Sequence, residues 1–346
     1  MKIGLVGYQG SGKSTLFEWL TGVRPDPALA HASQSAMAPV PEPRVEKLCA
    51  IYKPKKVTLA SIELVDTAGL SRSHEGNAAR LAQIREAGCL VLVVGAFDRA
   101  SKPLADVDSF AEDFLLADLE IVSGRVERLR ESTKKPRPNR DAELAELAAL
   151  EPLLATLESN TPLVNAGMTE DQLKVTRSFR LLTEKPKVVL FNVADDEGDP
   201  ERLVTALAER MPGVPTVAVP IGLELELERM SAEDRAAFRE EMGIGQFDRD
   251  ALLRTLLDAS GQMLYFTAGE KEVRTWMLRQ GGTALEAAGN IHTDLARGFI
   301  RAETMNCEDL VRLGSEREIK AQGLVRQEPK DYVIRDGDIL NIRFSV

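Results

Sequence analysis

The stretch Gly7-Tyr8-Gln9-Gly10-Ser11-Gly12-Lys13-Ser14 constrains this chain more than any other. A glycine, four residues, then Gly-Lys-Ser is the pattern of a phosphate-binding P-loop. The glycines let backbone N–H groups turn inward around phosphate oxygens without a Cβ in the way. Lys13 reaches the β- and γ-phosphates as a point charge. Ser14 offers its hydroxyl to a magnesium ion held between those phosphates. Lys2-Ile3-Gly4-Leu5-Val6 reads as a short buried strand before the loop, and Thr15-Leu16-Phe17-Glu18-Trp19-Leu20 as an amphipathic helix after it. That helix turns its N-terminal dipole toward the anion. A plain glycine-rich surface turn would not need the flanking strand and helix. The nucleotide-binding residues of this segment are therefore Gly10, Ser11, Gly12, Lys13, Ser14 and Thr15.

The next signal lies where such a fold would place it. Val57 to Val65 reads as a strand, and it runs into Asp66-Thr67-Ala68-Gly69-Leu70. Asp-x-x-Gly at a strand end after a P-loop assigns Asp66 to magnesium, through water, and the Gly69 amide to the γ-phosphate. Lys13, Asp66 and Gly69 are the expected catalytic set, and Ser14 and Asp66 the expected metal set. Ala78 to Ala87 reads as a helix. Cys89 to Val94, Lys187 to Phe191 and Thr216 to Pro220 read as further buried strands. Strands alternating with helices imply a mostly parallel sheet with right-handed crossovers. Asn192-Val193-Ala194-Asp195 closes the second of these strands, and it places Asn192, Val193 and Asp195 beside the base. The Val23 to Pro43 segment has no hydrophobic period and is either a first switch loop or a plain linker.

The gap between the strands at 94 and 187 is too long for one crossover. Leu115, Leu119, Val122, Val126 and Leu129 make one helical stripe, and Leu144, Leu147, Leu150, Leu154 and Leu157 another. This spacing predicts an antiparallel helical hairpin. Its tip gathers Arg125, Arg128, Arg130, Lys134, Lys135, Arg137 and Arg140, which is either a solvated tip or a probe for RNA phosphates. From residue 263 onward the pattern changes to strands at 273–278, 299–303, 332–334 and 339–344, with a helix over 283–291. Asp336-Gly337-Asp338 is expected to turn a hairpin. One helix on a small mixed sheet suggests a β-grasp module.

Composition removes several classes. The chain is 44% hydrophobic and 28% charged, as a globular protein should be, and no run is long enough for a membrane span. No secretory leader is expected before the first strand, since Lys2 running straight into a strand does not read as a secretory n-region. Cys49, Cys89 and Cys307 lack metal or disulfide spacing, so reduced cytosolic thiols are expected. A net charge of −10 argues against indiscriminate nucleic-acid binding.

Taken together, these residues resemble the YchF family, a branch of the Obg-like translational P-loop NTPases. The most specific stretches are Val40-Pro41-Glu42-Pro43-Arg44, Ile84-Arg85-Glu86, Tyr265 to Arg274, Ala287 to Asp294, Gly298 to Glu303, and Lys330 to Ile334. The resemblance implies a Ras-like P-loop NTPase domain over 1–110 and 185–262, an inserted antiparallel α-helical hairpin over 111–184, and a C-terminal β-grasp (TGS) domain over 263–346. It also implies magnesium-dependent hydrolysis of ATP in preference to GTP, ribosome or ribosomal RNA as partner, and a cytoplasmic location, with no membrane and no sequence-specific DNA.

The chain departs from the family at several points. Asn192-Val193-Ala194-Asp195 carries the short acid of GTPases where the family has Asn-x-x-Glu, so mixed base specificity is the near rival to ATP. Ala30 aligns with the switch threonine that ligates magnesium, with Ser33 or Ser35 as substitutes. No histidine lies between Phe97 and Asp113, where the family places one. Leu70 stands where Ras-type enzymes place a water-orienting glutamine, and His74 is close by. Two functions follow: a slow ATPase that couples nucleotide state to ribosome binding, or a nucleotide-stabilised adaptor with little turnover. A small-molecule P-loop kinase would leave Asp66–Gly69, Asn192–Asp195 and the C-terminal module unexplained.

Overall fold

The computed structural model describes residues 1–29, 32–98 and 100–345. Ala30, aligned with the switch threonine, lies outside them. The chain forms two compact units, Met1–Ala36 with Glu63–Phe247, and Met37–Ile62 with Asp248–Val346. Strands run in chain order as β1 (Lys2–Val6), β2 (Gln34–Pro39), β3 (Val57–Thr58), β4 (Ser61–Asp66), β5 (Cys89–Ala96), β6 (Lys187–Val193), β7 (Thr216–Val219), β8 (Gln262–Ala268), β9 (Val273–Arg279), β10 (Phe299–Asn306), β11 (Arg326–Glu328) and β12 (Asp338–Phe344).

The first sheet has the order β2-β4-β1-β5-β6-β7. β1 pairs in parallel with β4 and β5, β5 with β6, and β6 with β7. Composition explains the order. β5 and β6 are near-continuous Val/Leu/Phe runs, buried almost throughout, which suits the centre of a parallel sheet covered on both faces. β4 alternates buried and half-buried residues. β2, by contrast, is Gln-Ser-Ala-Met-Ala-Pro and lies at the edge. It occupies part of the 23–43 segment, in which no strand was legible.

Helix α1 (Lys13–Thr21) follows β1, and helices α2 (Pro43–Tyr52) and α3 (Asn77–Ile84) come next. The long helix α4 (Pro103–Ser132) turns back into α5 (Arg140–Glu158), and α6 (Glu170–Thr176) follows with a capping box between Thr169 and Gln172. The hairpin packs Leu115, Val122, Val126 and Leu129 against Leu150, Leu153, Leu154 and Leu157. Leu144, read as part of that stripe, is exposed. Helix α4 begins well before residue 111 because its first turns carry Val107, Phe110 and Phe114 into the core under the sheet. The insert is thus a continuation of a helix of the nucleotide fold.

The second sheet has the order β11-β10-β12-β8-β9-β3. β8–β9, β10–β11 and β10–β12 are antiparallel, while β12–β8 and β3–β9 are parallel. Alternation along β8 sends Tyr265 to one face and Phe266 to the other. The helix Ala284–Ile291 covers the Tyr265 face, and the Tyr265 hydroxyl donates to Ala287 O at 2.8 Å. Helix α2 covers the Phe266 face with Val45 and Leu48. Residues 37–62 therefore belong to the unit that the sequence began only at 263. Two further expectations differ. Tyr332-Val333-Ile334 is no strand and makes only a bridge from Val333 to Thr283. Asp336-Gly337-Asp338 turns, with Gly337 at φ 83°, yet β12 then pairs with β10 and β8, so no hairpin forms.

Candidate functional site

Parallel register gathers the expected residues at one edge. Leu5 stands beside Asp66, Val6 beside Leu92, and Gly95 beside Asn192, so the loops after β1, β4 and β6 emerge together at the carboxyl ends of the strands. A cleft of about 600 Å³ opens there. It is lined by Gly10, Lys13, Ser14 and Thr15 of the P-loop, and by Asp66 to Gly69.

The P-loop is held by its own backbone. Ser11 N donates to Tyr8 O at 3.2 Å and Lys13 Nζ to the same oxygen at 2.9 Å. Gly12 sits at φ 101° as the N-cap of α1 with no side chain on the helix amides, which leaves them for an anion. Gly7 is required by space, since a Cβ there would overlap the Val93 carbonyl oxygen. The loop after β4 is stitched to the P-loop by Leu70 N to Gly7 O at 2.9 Å and Gln9 N to Leu70 O at 3.2 Å. Gly69 packs so closely that a Cβ would meet Gln9 and Lys13 Nζ at 3.0 Å.

Ser14 Oγ donates to Asp66 Oδ2 at 2.6 Å, while Asp66 Oδ1 is buried with no hydrogen-bond partner. Burial pushes the Asp66 carboxyl up from its ordinary range, against the Ser14 hydrogen bond and the Lys13 charge. Burial likewise lowers Lys13 to about 8, opposed by Asp66. A hydroxyl, a carboxylate and an orphaned carboxylate oxygen are hard oxygen donors of the kind magnesium takes. Ser14 and Asp66 fit that ion.

At the end of β6, Asn192 Nδ2 donates to Ser11 O at 3.1 Å and its Oδ1 accepts from Ile221 N at 3.2 Å. Val193 is buried in the apolar cluster beneath the sheet and does not line the phosphate cleft. Asp195 is exposed, and its carboxyl is raised by partial burial and by Glu226 and Asp196 nearby. Leu70 is fully buried. His74 pairs with Asp113 at 3.0 Å. Arg72 lies over the Tyr8 ring at 4.4 Å and bonds Asp106 on α4, with Nη2 to Oδ2 at 2.7 Å.

The cleft also holds two cations that sequence reasoning missed, Arg24 and Arg80. A basic residue three positions into the helix after Asp-x-x-Gly was the available signal for Arg80. At the hairpin tip, Arg125, Arg130 and Lys134 are paired with Glu146, Glu151 and Glu131, so part of the basic cluster is neutralised within the hairpin.

Comparison with known proteins places this geometry. A family model described as YchF-GTPase_C, a protein of unknown function, matches residues 263–345, and one described as 50S ribosome-binding GTPase matches residues 2–123. The ribosome-binding ATPase YchF of Bacillus subtilis is 34% identical, covering 99% of each chain. Obg-like ATPase 1 of Oryza sativa subsp. japonica is 32% identical, over all of this chain and 92% of that one. The Schizosaccharomyces pombe YchF GTPase superposes with a TM-score of 0.85 at 27% identity, covering 99% of this chain and 97% of that one.

Proposed function

The chain belongs to the YchF family of P-loop NTPases, and on that premise we propose that it is a slow ATPase whose nucleotide state governs its binding to the ribosome. The observation that carries the reading is the Ser14–Asp66 pair with its orphaned Oδ1, set beside Lys13 at the mouth of α1. Bound magnesium would supply charge neutralisation between the phosphates. The chain's own residues do the rest. The free amides of α1 cradle phosphate oxygens, Lys13 carries the compensating charge, and the Gly69 amide reads the γ-phosphate. Asp195 marks the base pocket, and its carboxylate makes GTP the rival nucleotide. Ribosome binding is carried over from the names of the relatives, and a cytoplasmic setting is proposed from that partner; no helix among the described residues is long and apolar enough to cross a membrane.

A second reading is an adaptor that holds nucleotide with little turnover. Buried, apolar Leu70 favours it, because that position cannot orient a water. Calorimetric binding of ADP, GDP and their non-hydrolysable triphosphates with magnesium, to wild type and Lys13→Ala, tests the site. Turnover with and without ribosomes separates the two readings. ATPase activity stimulated by ribosomes is the expected result, and nucleotide binding with no turnover in either condition leaves the adaptor.

A further inference from the structure

We propose that Arg80 is the residue that stabilises the charge developing on the transferred phosphoryl group, an assignment that rests on the nucleotide-hydrolysing reading of the same cleft. Leu70 is fully buried and apolar, so the position after Gly69 supplies neither a water-orienting group nor a charge. Among the described residues lining the cleft, the cations are Lys13, Arg24 and Arg80. Lys13 belongs to the P-loop and serves the ground state as well as the transition state.

Arg80 differs from its neighbours in what holds it. Arg72, Arg85 and Arg229 are closed by carboxylates, those of Asp106, Asp118 and Glu18. Among the described residues, Arg80 Nη1 donates to two neutral acceptors, Glu75 O at 3.2 Å and Asn77 Oδ1 at 3.3 Å. Its guanidinium rests over Gly76, the left-handed N-cap of α3, where a Cβ would lie 3.9 Å from the Cζ. Asn77 is itself buried and tied to Ser71, with Ser71 N to Oδ1 at 2.8 Å and Nδ2 to Ser71 O at 2.9 Å. Arg80 is thus half-buried, oriented by the loop that follows Gly69, and in an ion pair with no carboxylate among the described residues of the phosphate cleft. Arg24 is exposed, and among the described residues nothing pairs with it to orient it. A cation fixed in advance at the site of developing charge stabilises a transition state more than a mobile one.

In the reaction, a lone pair of the water oxygen forms the new bond to the γ-phosphorus. The electron pair of the bond to the bridging oxygen leaves with the diphosphate, and the water proton ends on the released phosphate. Arg80 touches the γ-phosphoryl oxygens while that charge shifts.

Arg80→Ala, Arg80→Lys and Arg24→Ala are compared with wild type by three measurements: calorimetric binding of ADP and of GDP, steady-state turnover, and capture of the diphosphate with magnesium and aluminium fluoride. Arg80→Ala should bind diphosphate within about twofold of wild type, yet lose on the order of 100-fold in turnover and the aluminium fluoride complex with it. Arg80→Lys should recover part of both. Turnover and aluminium fluoride capture near wild-type levels in Arg80→Ala overturn the assignment. So does an equal loss of diphosphate affinity, or a loss confined to Arg24→Ala. A wild type that binds diphosphate but forms no aluminium fluoride complex also overturns it, leaving the binding site intact. A wild type that binds neither diphosphate removes the nucleotide reading itself.

Discussion

The Asn192 side-chain amide donates to the Ser11 carbonyl at 3.1 Å and accepts from Ile221 N at 3.2 Å, so both of its polar atoms are spent on protein backbone. It is 8% exposed, and a Cβ on Gly12 would overlap its nitrogen. Asn192 therefore braces the P-loop from β6. Asn192→Ala strands a buried carbonyl and a buried N–H, which costs about 1–3 kcal/mol for each group left unpaired. The loop is the shared element for any nucleotide, so affinity for ADP and GDP should fall together, by tenfold or so. Denaturant unfolding and calorimetric titration check both. A change in the ratio of adenine to guanine affinity would show that Asn192 reads the base.

Asp195 carries the opposite expectation. Its carboxylate can accept from guanine N1–H and N2–H, and adenine offers no such donor pair. Hydrogen bonds to a charged group contribute about 1.5–3 kcal/mol, so Asp195→Ala should weaken GDP by roughly tenfold or more and leave ADP nearly unchanged. Titration of both diphosphates into wild type and variant measures this. Equal losses would place Asp195 in the scaffold.

Much of this site could be read from the sequence because P-loop chemistry is local. Gly7 to Ser14 and Asp66 to Gly69 each combine a strand end, a turn and fixed donors within a few residues. β1, β5 and β6 are legible for a similar reason, as their buried apolar runs leave no other place for them, while β7 is half-buried at the sheet edge and shows only by its Val-Ala-Val composition. What escaped reading depends on contacts distant in sequence. β2 is Gln-Ser-Ala-Met-Ala-Pro, an edge strand that needs little apolar character. The run from Val57 to Val65 looks continuous, yet it divides at Leu59-Ala60. Ala60 N turns to the Thr275 hydroxyl at 2.6 Å, and Val57–Thr58 joins β9 while Ser61–Asp66 joins β1. Tyr332 to Ile334 has strand composition, but the Tyr332 hydroxyl donates to Asp338 and its backbone carbonyl accepts from Ala284, which fixes the segment as a loop. Arg80 escaped reading because its one signal, a basic residue early in the helix after Asp-x-x-Gly, is weak until its surroundings show which charges are already paired.

The root of the hairpin depends on Asp118. This carboxylate is fully buried and accepts from Leu182 N at 3.0 Å, Thr183 N at 2.7 Å, the Thr183 hydroxyl at 2.8 Å and Arg85 Nη1 at 2.6 Å. Arg85 follows α3, and Leu182 and Thr183 lead into β6, so one side chain ties the helix after the second nucleotide loop to the insert and the sheet. Asp118→Ala would leave the Arg85 charge and two backbone donors without their partner in a buried place. Removing one member of a buried pair costs about 3–5 kcal/mol. Calorimetric unfolding should show a drop of that order, and a loss under about 1 kcal/mol would mean that the network contributes little beyond its packing.

Lys13 sets binding against stability. In the native protein burial lowers its ammonium from the ordinary 10.5 to about 8, while Asp66 works against that fall. The unfolded chain keeps the proton up to about 10.5, so between roughly pH 8 and 10.5 it holds more protons than the native state, and stability rises with pH across that window. Below pH 8 the full cost of the buried charge is present, about 3 kcal/mol from the size of the shift. Lys13→Met removes the charge and also the hydrogen bond to Tyr8 O, so the nucleotide-free variant should gain a net ~1–2 kcal/mol at pH 7 and lose the rise between pH 8 and 10.5. Phosphate binding needs the protonated amine, so wild-type affinity for triphosphate should weaken above pH 8 by up to tenfold per unit, and the variant should not bind at all. Urea unfolding at pH 7 and pH 9, with titrations at the same values, reads both sides. A Lys13→Met protein less stable than wild type at pH 7, with its pH slope intact, would contradict the buried-charge account.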